Sequence, residues 1–246
     1  MERAWRDAIA TPIDRPGMAG TALAGAGIVL TTGITAAGAL YPDYSIHGQT
    51  ISALGAHDAS GQLVQPAATV FTLSLAVAGA LLILAAVTGR STIDRPVAGG
   101  LALTGLGVLG VAAFPAHLGA PHAISALVAF AGGGATAVIA GFAARGPIRW
   151  LSLVLGAWAL LALVAFLALF GATPLGVGGL ERMIALPIQG WTILYGGWVV
   201  DDRDGNFEDG FGTLGEGQSD WIRERRDASN ADRRERIERL DDSGKR

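Results

Sequence analysis

Cysteine is absent from the 246 residues, which excludes disulfides and thiolate-held metal. Lysine is nearly absent as well, with Lys245 standing against seventeen arginines. Over most of the chain, charge of either sign is scarce. From residue 17 to residue 200 the charged side chains are Asp43, Asp58, Arg90, Asp94, Arg95, Arg145, Arg149, Glu181 and Arg182. Only 16% of all residues are charged, against about 25% in a soluble domain, and the mean hydropathy is +0.43. A water-covered globular surface cannot be built from this composition. A cleavable signal is not expected either. The first apolar run follows a sixteen-residue lead-in with six charged side chains and exceeds the ~7–15 residues of a signal core.

What fills the gaps between those charges is apolar sequence in lengths suited to a bilayer. About 20 residues at 1.5 Å per residue cross ~30 Å of hydrocarbon, and a charge held at its centre costs about 2.5 kcal/mol or more. The runs predict spans at 17–40, 66–88, 97–114, 122–144, 150–170 and 180–200. Pro42 marks the end of the first span, Pro96 suits the start of the third, and Pro187 predicts a bend in the sixth. The fold class is therefore all-α: an integral membrane bundle of six transmembrane helices with a cytoplasmic C-terminal tail. Stripes of small residues, Gly27-Thr31-Thr35-Ala39 and Gly133-Ala137-Gly141, predict close helix contacts in lipid. The fifth span, with Gly156 as its single glycine, reads as the most lipid-exposed.

Threading follows from the cations. With six spans, 17 of the 18 Lys and Arg residues fall on one side, and basic segments stay cytoplasmic. The expected protein is a multi-pass component of the cell membrane with both termini cytoplasmic. It divides into a lead-in (1–16), a membrane domain (17–200) and a charged tail (201–246). The tail holds 14 acids and 10 bases. Its first half reads as a linker and 221–240 as a solvated helix. A net charge of −4 there argues against nucleic acid as a partner. Contact with a cytoplasmic protein through the tail is the sharper reading.

The same threading sends a set of polar groups to the outer face. The candidate ligand-binding residues are Tyr41, Asp43, Ser45, His47, Ser52, His57, His117, His122, Glu181, Arg182 and Gln189. Helix starts bearing Gln65, Thr69 and Thr72, or His122 and Ser125, are expected to feed polar groups into the outer half of the bundle. Three stretches carry most of these residues: YPDYSIHGQTISALGA, FPAHLGAPH and GLERM. Together they resemble the uncharacterised integral membrane family catalogued as domain of unknown function 998, a family common in archaea and bacteria. The resemblance covers about 20–200. It rests on Tyr41, Pro42, Ser45, Ser52, Leu54, Gly55, Phe114, Pro115, His122, Glu181 and Arg182. It implies about six spans, and the family brings no established chemistry to transfer.

Several chemistries compete for these residues. Four histidines with Asp43, Asp58 and Glu181 on one face could supply the three or four N/O ligands of a zinc hydrolase or transferase. His117 and His122, however, lack the i, i+4 spacing of helical zinc motifs, so no metal or other cofactor is assigned and catalytic residues stay unassigned. Ser45 or Ser52 beside a histidine could make a nucleophile, but serines in such loops usually cap turns. Ser52 reads best in a short re-entrant or interfacial helix. Arg182 is expected to pair with Asp43 or Asp58, and Gln189 to bridge two helices. Trp191, Tyr195 and Trp198 read as belt and packing aromatics. The leading expectation is binding or movement of a small molecule or lipid at an outward polar site in the bilayer. A membrane-embedded enzyme, or a structural or sensory subunit acting through the tail, are the rivals.

Overall fold

The structure, a computed structural model, describes residues 16–89 and 92–201. The expectations for the lead-in and the tail, including the helix at 221–240, lie outside the described residues. Six long helices carry the fold: α1 (Pro16–Leu40), α2 (Ala67–Thr88), α3 (Arg95–Ala113), α4 (Ala120–Ala143), α5 (Pro147–Leu169) and α6 (Gly176–Asp201). Two short 3-10 helices, Ile51–Gly55 and Ala116–Leu118, interrupt the loops. Each long helix is apolar and long enough to cross a membrane. Among the described residues the only extended pairing is an isolated bridge between His57 and Leu63.

Proline near the start of α3, α4 and α5 costs nothing, because the first amides of a helix have no partner inside it. Pro187 stands inside α6 without ending it. The largest difference from the sequence reading is the start of α6. The glycine-rich stretch expected as loop is already helical from Gly176, four residues before the predicted start at 180. The glycines are there for proximity: a Cβ on Gly178 would overlap the carbonyl oxygens of Ile46 and Gln49. Only a bare backbone lets the incoming loop lie against this helix.

Where lipid surrounds a bundle, hydrophobicity gives little preference for one helix face, so packing geometry decides. The crossings are correspondingly glycine contacts. A Cβ on Gly79 of α2 would stand 2.9 Å from the Gly105 carbonyl of α3, and one on Gly156 of α5 would stand 2.8 Å from the Gly134 carbonyl of α4. In the same way a Cβ on Gly196 of α6 would be 2.7 Å from the Gly20 carbonyl of α1. Of the stripe expected on α1, Gly27 meets α6 and Thr31 bonds to it, whereas Thr35 and Ala39 are exposed.

Helix α6 is the centre of the bundle. Half of its apolar window is buried, compared with 28% for α5, which is the least covered span as expected. It meets α1 through Gly196, α4 through Ile188 over Gly133, and α5 through Trp191, whose indole N–H donates to Ser152 Oγ at 3.0 Å. Trp191 and Tyr195 are each 1% exposed and stack 5.0 Å apart, so they are core residues and not belt residues. Consecutive helices from α1 to α5 pack as hairpins and the Trp191–Ser152 bond joins α5 to α6, which places the loops 41–66, 114–119 and 170–175 at one end of the bundle.

Candidate functional site

Two neighbouring residues on α6 hold the first loop by its backbone. Arg182 donates from one terminal nitrogen to the carbonyls of Gly178 (2.8 Å), Ile46 (3.2 Å) and Gln49 (3.4 Å). From the other it donates to Tyr44 Oη at 2.7 Å, and its guanidinium lies 5.4 Å from the Tyr44 ring centroid. Glu181 takes the amide side: its carboxylate accepts from the Ile51 N–H and from Ser52 Oγ, the latter at 2.7 Å. The cation reads carbonyls and the anion reads donors. The loop needs both, because a backbone led across a bundle end must have its polar groups satisfied.

Arg182 therefore pairs with neither Asp43 nor Asp58, contrary to expectation; loop carbonyls and a phenol are its partners. Asp43 turns the chain at φ 57° and is exposed. Asp58 accepts from Ser60 N (2.8 Å), Ser60 Oγ (2.6 Å) and Gln62 N (3.1 Å) in a local turn. These bonds, the Ser60 hydroxyl first, hold its carboxyl below the usual range. Tyr44 passes its own proton to the Thr50 carbonyl at 2.7 Å. Burial pushes its hydroxyl above the ordinary tyrosine value, and the Arg182 contact only partly offsets this.

The remaining candidates sit in supporting roles around this strap. Tyr41 packs its ring against Tyr44 at 5.6 Å. Ser45 closes a turn, with its hydroxyl accepting from Gly48 N at 2.9 Å and its amide donating to Gln49 Oε1 at 2.8 Å. The His47 carbonyl accepts from Gly178 N at 3.1 Å, docking loop onto helix. Ser52 lies on the 3-10 helix Ile51–Gly55, whose Leu54 is fully buried, so the expected short helix is a single tight turn plugged into the bundle. His57 and His117 stack face to face with centroids 3.7 Å apart, and the His57 amide donates to His117 Nδ1 at 3.3 Å. His122 Nδ1 lies 2.8 Å from the Phe114 carbonyl; since a carbonyl can only accept, that nitrogen carries the proton. The histidines are thus distributed over three contacts. Among the described residues no three His, Asp or Glu side chains gather closely enough to hold a metal.

Beneath the strap lies a cavity lined by every long helix except α5. Its volume is about 70 Å³, against about 10–15 Å³ for a single water. Its polar lining is Ser52, Glu181, Gln189, Thr104 and Thr192. Both threonine hydroxyls return to carbonyls of their own helices, at Gly100 and Gln189. Gln189 bridges α1 and α6 as expected, its Oε1 accepting from the Thr31 hydroxyl at 3.0 Å.

One end of that amide has no partner among the described residues. The Thr31 hydroxyl, which also lies 2.8 Å from the Gly27 carbonyl, faces Oε1, so the end left over is the amide nitrogen, a donor. Gln65 and Thr69, by contrast, bond to each other on an exposed face and do not enter the bundle. Residues overlooked in the sequence are Tyr44, Gln49, Thr31 and Thr192. Tyr44 stood inside the recognised stretch; the threonines carry no signal beyond small size.

The family model described as "Protein of unknown function (DUF998)" matches residues 23–198. No curated protein and no solved structure matches the chain.

Proposed function

The chain belongs to this DUF998 family, and on that premise we propose that it binds or moves a small molecule or lipid through a polar site at the non-cytoplasmic end of its bundle. In this reading the bilayer is that of the cell membrane. The lead-in and the tail lie in the cytoplasm, where the tail is free to contact a protein. Support for the orientation is the cation distribution: the end bearing loop 41–66 has Arg182 and no other Lys or Arg.

The observation that carries the reading is the pairing of Glu181 with Gln189 on one cavity wall. Glu181 is 2% exposed and Gln189 5%. Polar groups held at membrane depth are costly unless partnered, and those facing an internal space commonly mark a ligand path. Ser52 on the strap closes the same space from above, so the loop that Arg182 holds is also the cover of the site.

Protein extracted in its native lipid, washed and denatured, is expected to release a defined small molecule or lipid in stoichiometric amount by mass spectrometry. Gln189→Leu should reduce that yield. Recovery of bulk lipid alone, in the proportions of the surrounding membrane and unchanged by the variant, would remove this function.

A further inference from the structure

We propose that the bundle carries a second site, away from the strap: a groove between α2 and α3 that holds an anionic phospholipid, its phosphate on Arg95 and one acyl chain along the groove. The turn joining these helices lies at the end of the bundle opposite loop 41–66, so the site is separate from the cavity under Ser52 and goes beyond the binding reading above. The groove has a volume of about 510 Å³. Ala86 and Val87 of α2 form one wall, and Ala98, Gly99 and Ala102 of α3 the other. Ile93, buried in the connecting turn, completes it.

Small residues make the space. Helices α2 and α3 touch at Gly79 and Gly105, where a Cβ on the first would stand 2.9 Å from the carbonyl of the second. Nearer the turn that contact lapses, and a Cβ on Gly99 would meet nothing within 4 Å. Val87 is 39% exposed, so the groove opens to the surrounding lipid. From Arg95 to Ala102 it runs about 10 Å at 1.5 Å per residue, against about 15 Å for the hydrocarbon of one leaflet. Arg95 is the first residue of its span. A phospholipid with its head at Arg95 therefore keeps both head and chain at their ordinary depth.

Charge assigns the head. Arg95 is the one charged residue that lines the groove, and it is exposed. Its guanidinium has no hydrogen-bond or ion-pair partner among the described residues. Arg182, by comparison, is committed to loop carbonyls and Tyr44, and Arg149 lies 5.6 Å from the Trp150 ring centroid. Asp94 does not line the groove, and its side chain makes no capping bond to α3. No side chain therefore competes with a phosphate for the free amides at the positive end of that helix. A zwitterionic lipid offers the same phosphate but brings an ammonium beside Arg95, whereas an anionic head does not. Basic pockets between helices at the leaflet boundary are a recurrent form of anionic-lipid site.

The test reconstitutes the full chain in nanodiscs of equimolar phosphatidylglycerol and phosphatidylcholine. The protein is released into mild detergent and its retained lipids are counted by native mass spectrometry. Phosphatidylglycerol is expected to exceed phosphatidylcholine about fivefold among them, the scale of one cation acting on an anionic head. Arg95→Gln should return the ratio to that of the disc. Gly99→Leu fills the groove with Arg95 intact and should remove one lipid per chain; leucine is the better helix former, so the helix itself is not weakened. Arg149→Gln takes away another exposed cation at the same end of the bundle and should leave the ratio alone. A ratio for the unaltered protein equal to that of the disc overturns the proposal. So does an equal fall in Arg95→Gln and Arg149→Gln, which would mean general attraction to the charged surface. Retention untouched by Gly99→Leu overturns the groove as the place of binding. The cavity between Glu181 and Gln189 is read by a different variant, so its binding role stands or falls separately.

Discussion

The Tyr44 hydroxyl accepts a hydrogen bond from Arg182 at 2.7 Å and donates one to the Thr50 carbonyl at 2.7 Å. It can do both only as a neutral phenol. In the folded protein its pKa lies above the ordinary value of about 10, with burial as the main cause. A group whose folded pKa is raised contributes stability that is whole below the unfolded pKa and is lost as pH rises through the folded one. The protein is therefore expected to lose thermal stability above about pH 10, with a component that Tyr44→Phe abolishes. At neutral pH the variant should be less stable by about 1–2 kcal/mol, the scale of a partly buried bond to a charged donor. Unfolding followed by circular dichroism across pH checks both. An identical alkaline limb in Tyr44→Phe would show that the phenol is not its source.

Gly178→Ala tests whether loop and helix must touch. Its Cβ would meet the Ile46 and Gln49 carbonyl oxygens, neither of which can yield without pulling the loop from Arg182. A loss of about 1–3 kcal/mol is expected, the usual range for overpacking, with faster proteolysis within 41–55. Gly190→Ala is the matched control. Nothing lies within 4 Å of its Cβ position, so the change should be neutral or stabilising by up to about 1 kcal/mol. Similar thermal shifts for the two variants would contradict the close docking.

Ser152→Ala leaves the Trp191 indole N–H without its acceptor inside the bundle, where Ser152 is fully buried. Hydrogen bonds between membrane helices average about 0.6 kcal/mol, with a ceiling of about 1.7. The variant should fall in that range in a reversible unfolding titration, with a shift in tryptophan emission. A larger loss would mean that Ser152 secures the packing of α5 on α6 and not the indole bond alone.

Because the chain has no cysteine, single-cysteine variants label without background. Ser45→Cys and Ala120→Cys are expected to react with an impermeant maleimide from outside intact cells, and Asp94→Cys only after permeabilisation. The reverse pattern would put the polar end of the bundle in the cytoplasm.

The six helices were legible because a bilayer penalises charge along the whole length of a span, which is a local condition that any window of sequence can be tested against. Span boundaries moved where that condition is silent. Gly176 to Gly179 look like loop by propensity, yet the helix starts at Gly176, and glycine at 178 leaves room for the carbonyls of Ile46 and Gln49. The candidate residues were recognisable as polar groups at one end of the bundle. Their grouping was not. His57 and His117 stack with each other and His122 caps Phe114, so the histidines that suggested a shared centre are three separate contacts.

Sequence alone determined that this is an all-helical six-span membrane protein, since each hydrophobic run reports its own solvent. Only the tertiary structure decided what Glu181, Arg182 and Gln189 do. Glu181 meets Ile51 across 130 positions of chain, and Gln189 meets Thr31 across 158. Partners so distant depend on which helix occupies the middle of the bundle. Glycine clearances on α1, α4 and α6 set that, and no local property of the residues themselves encodes it.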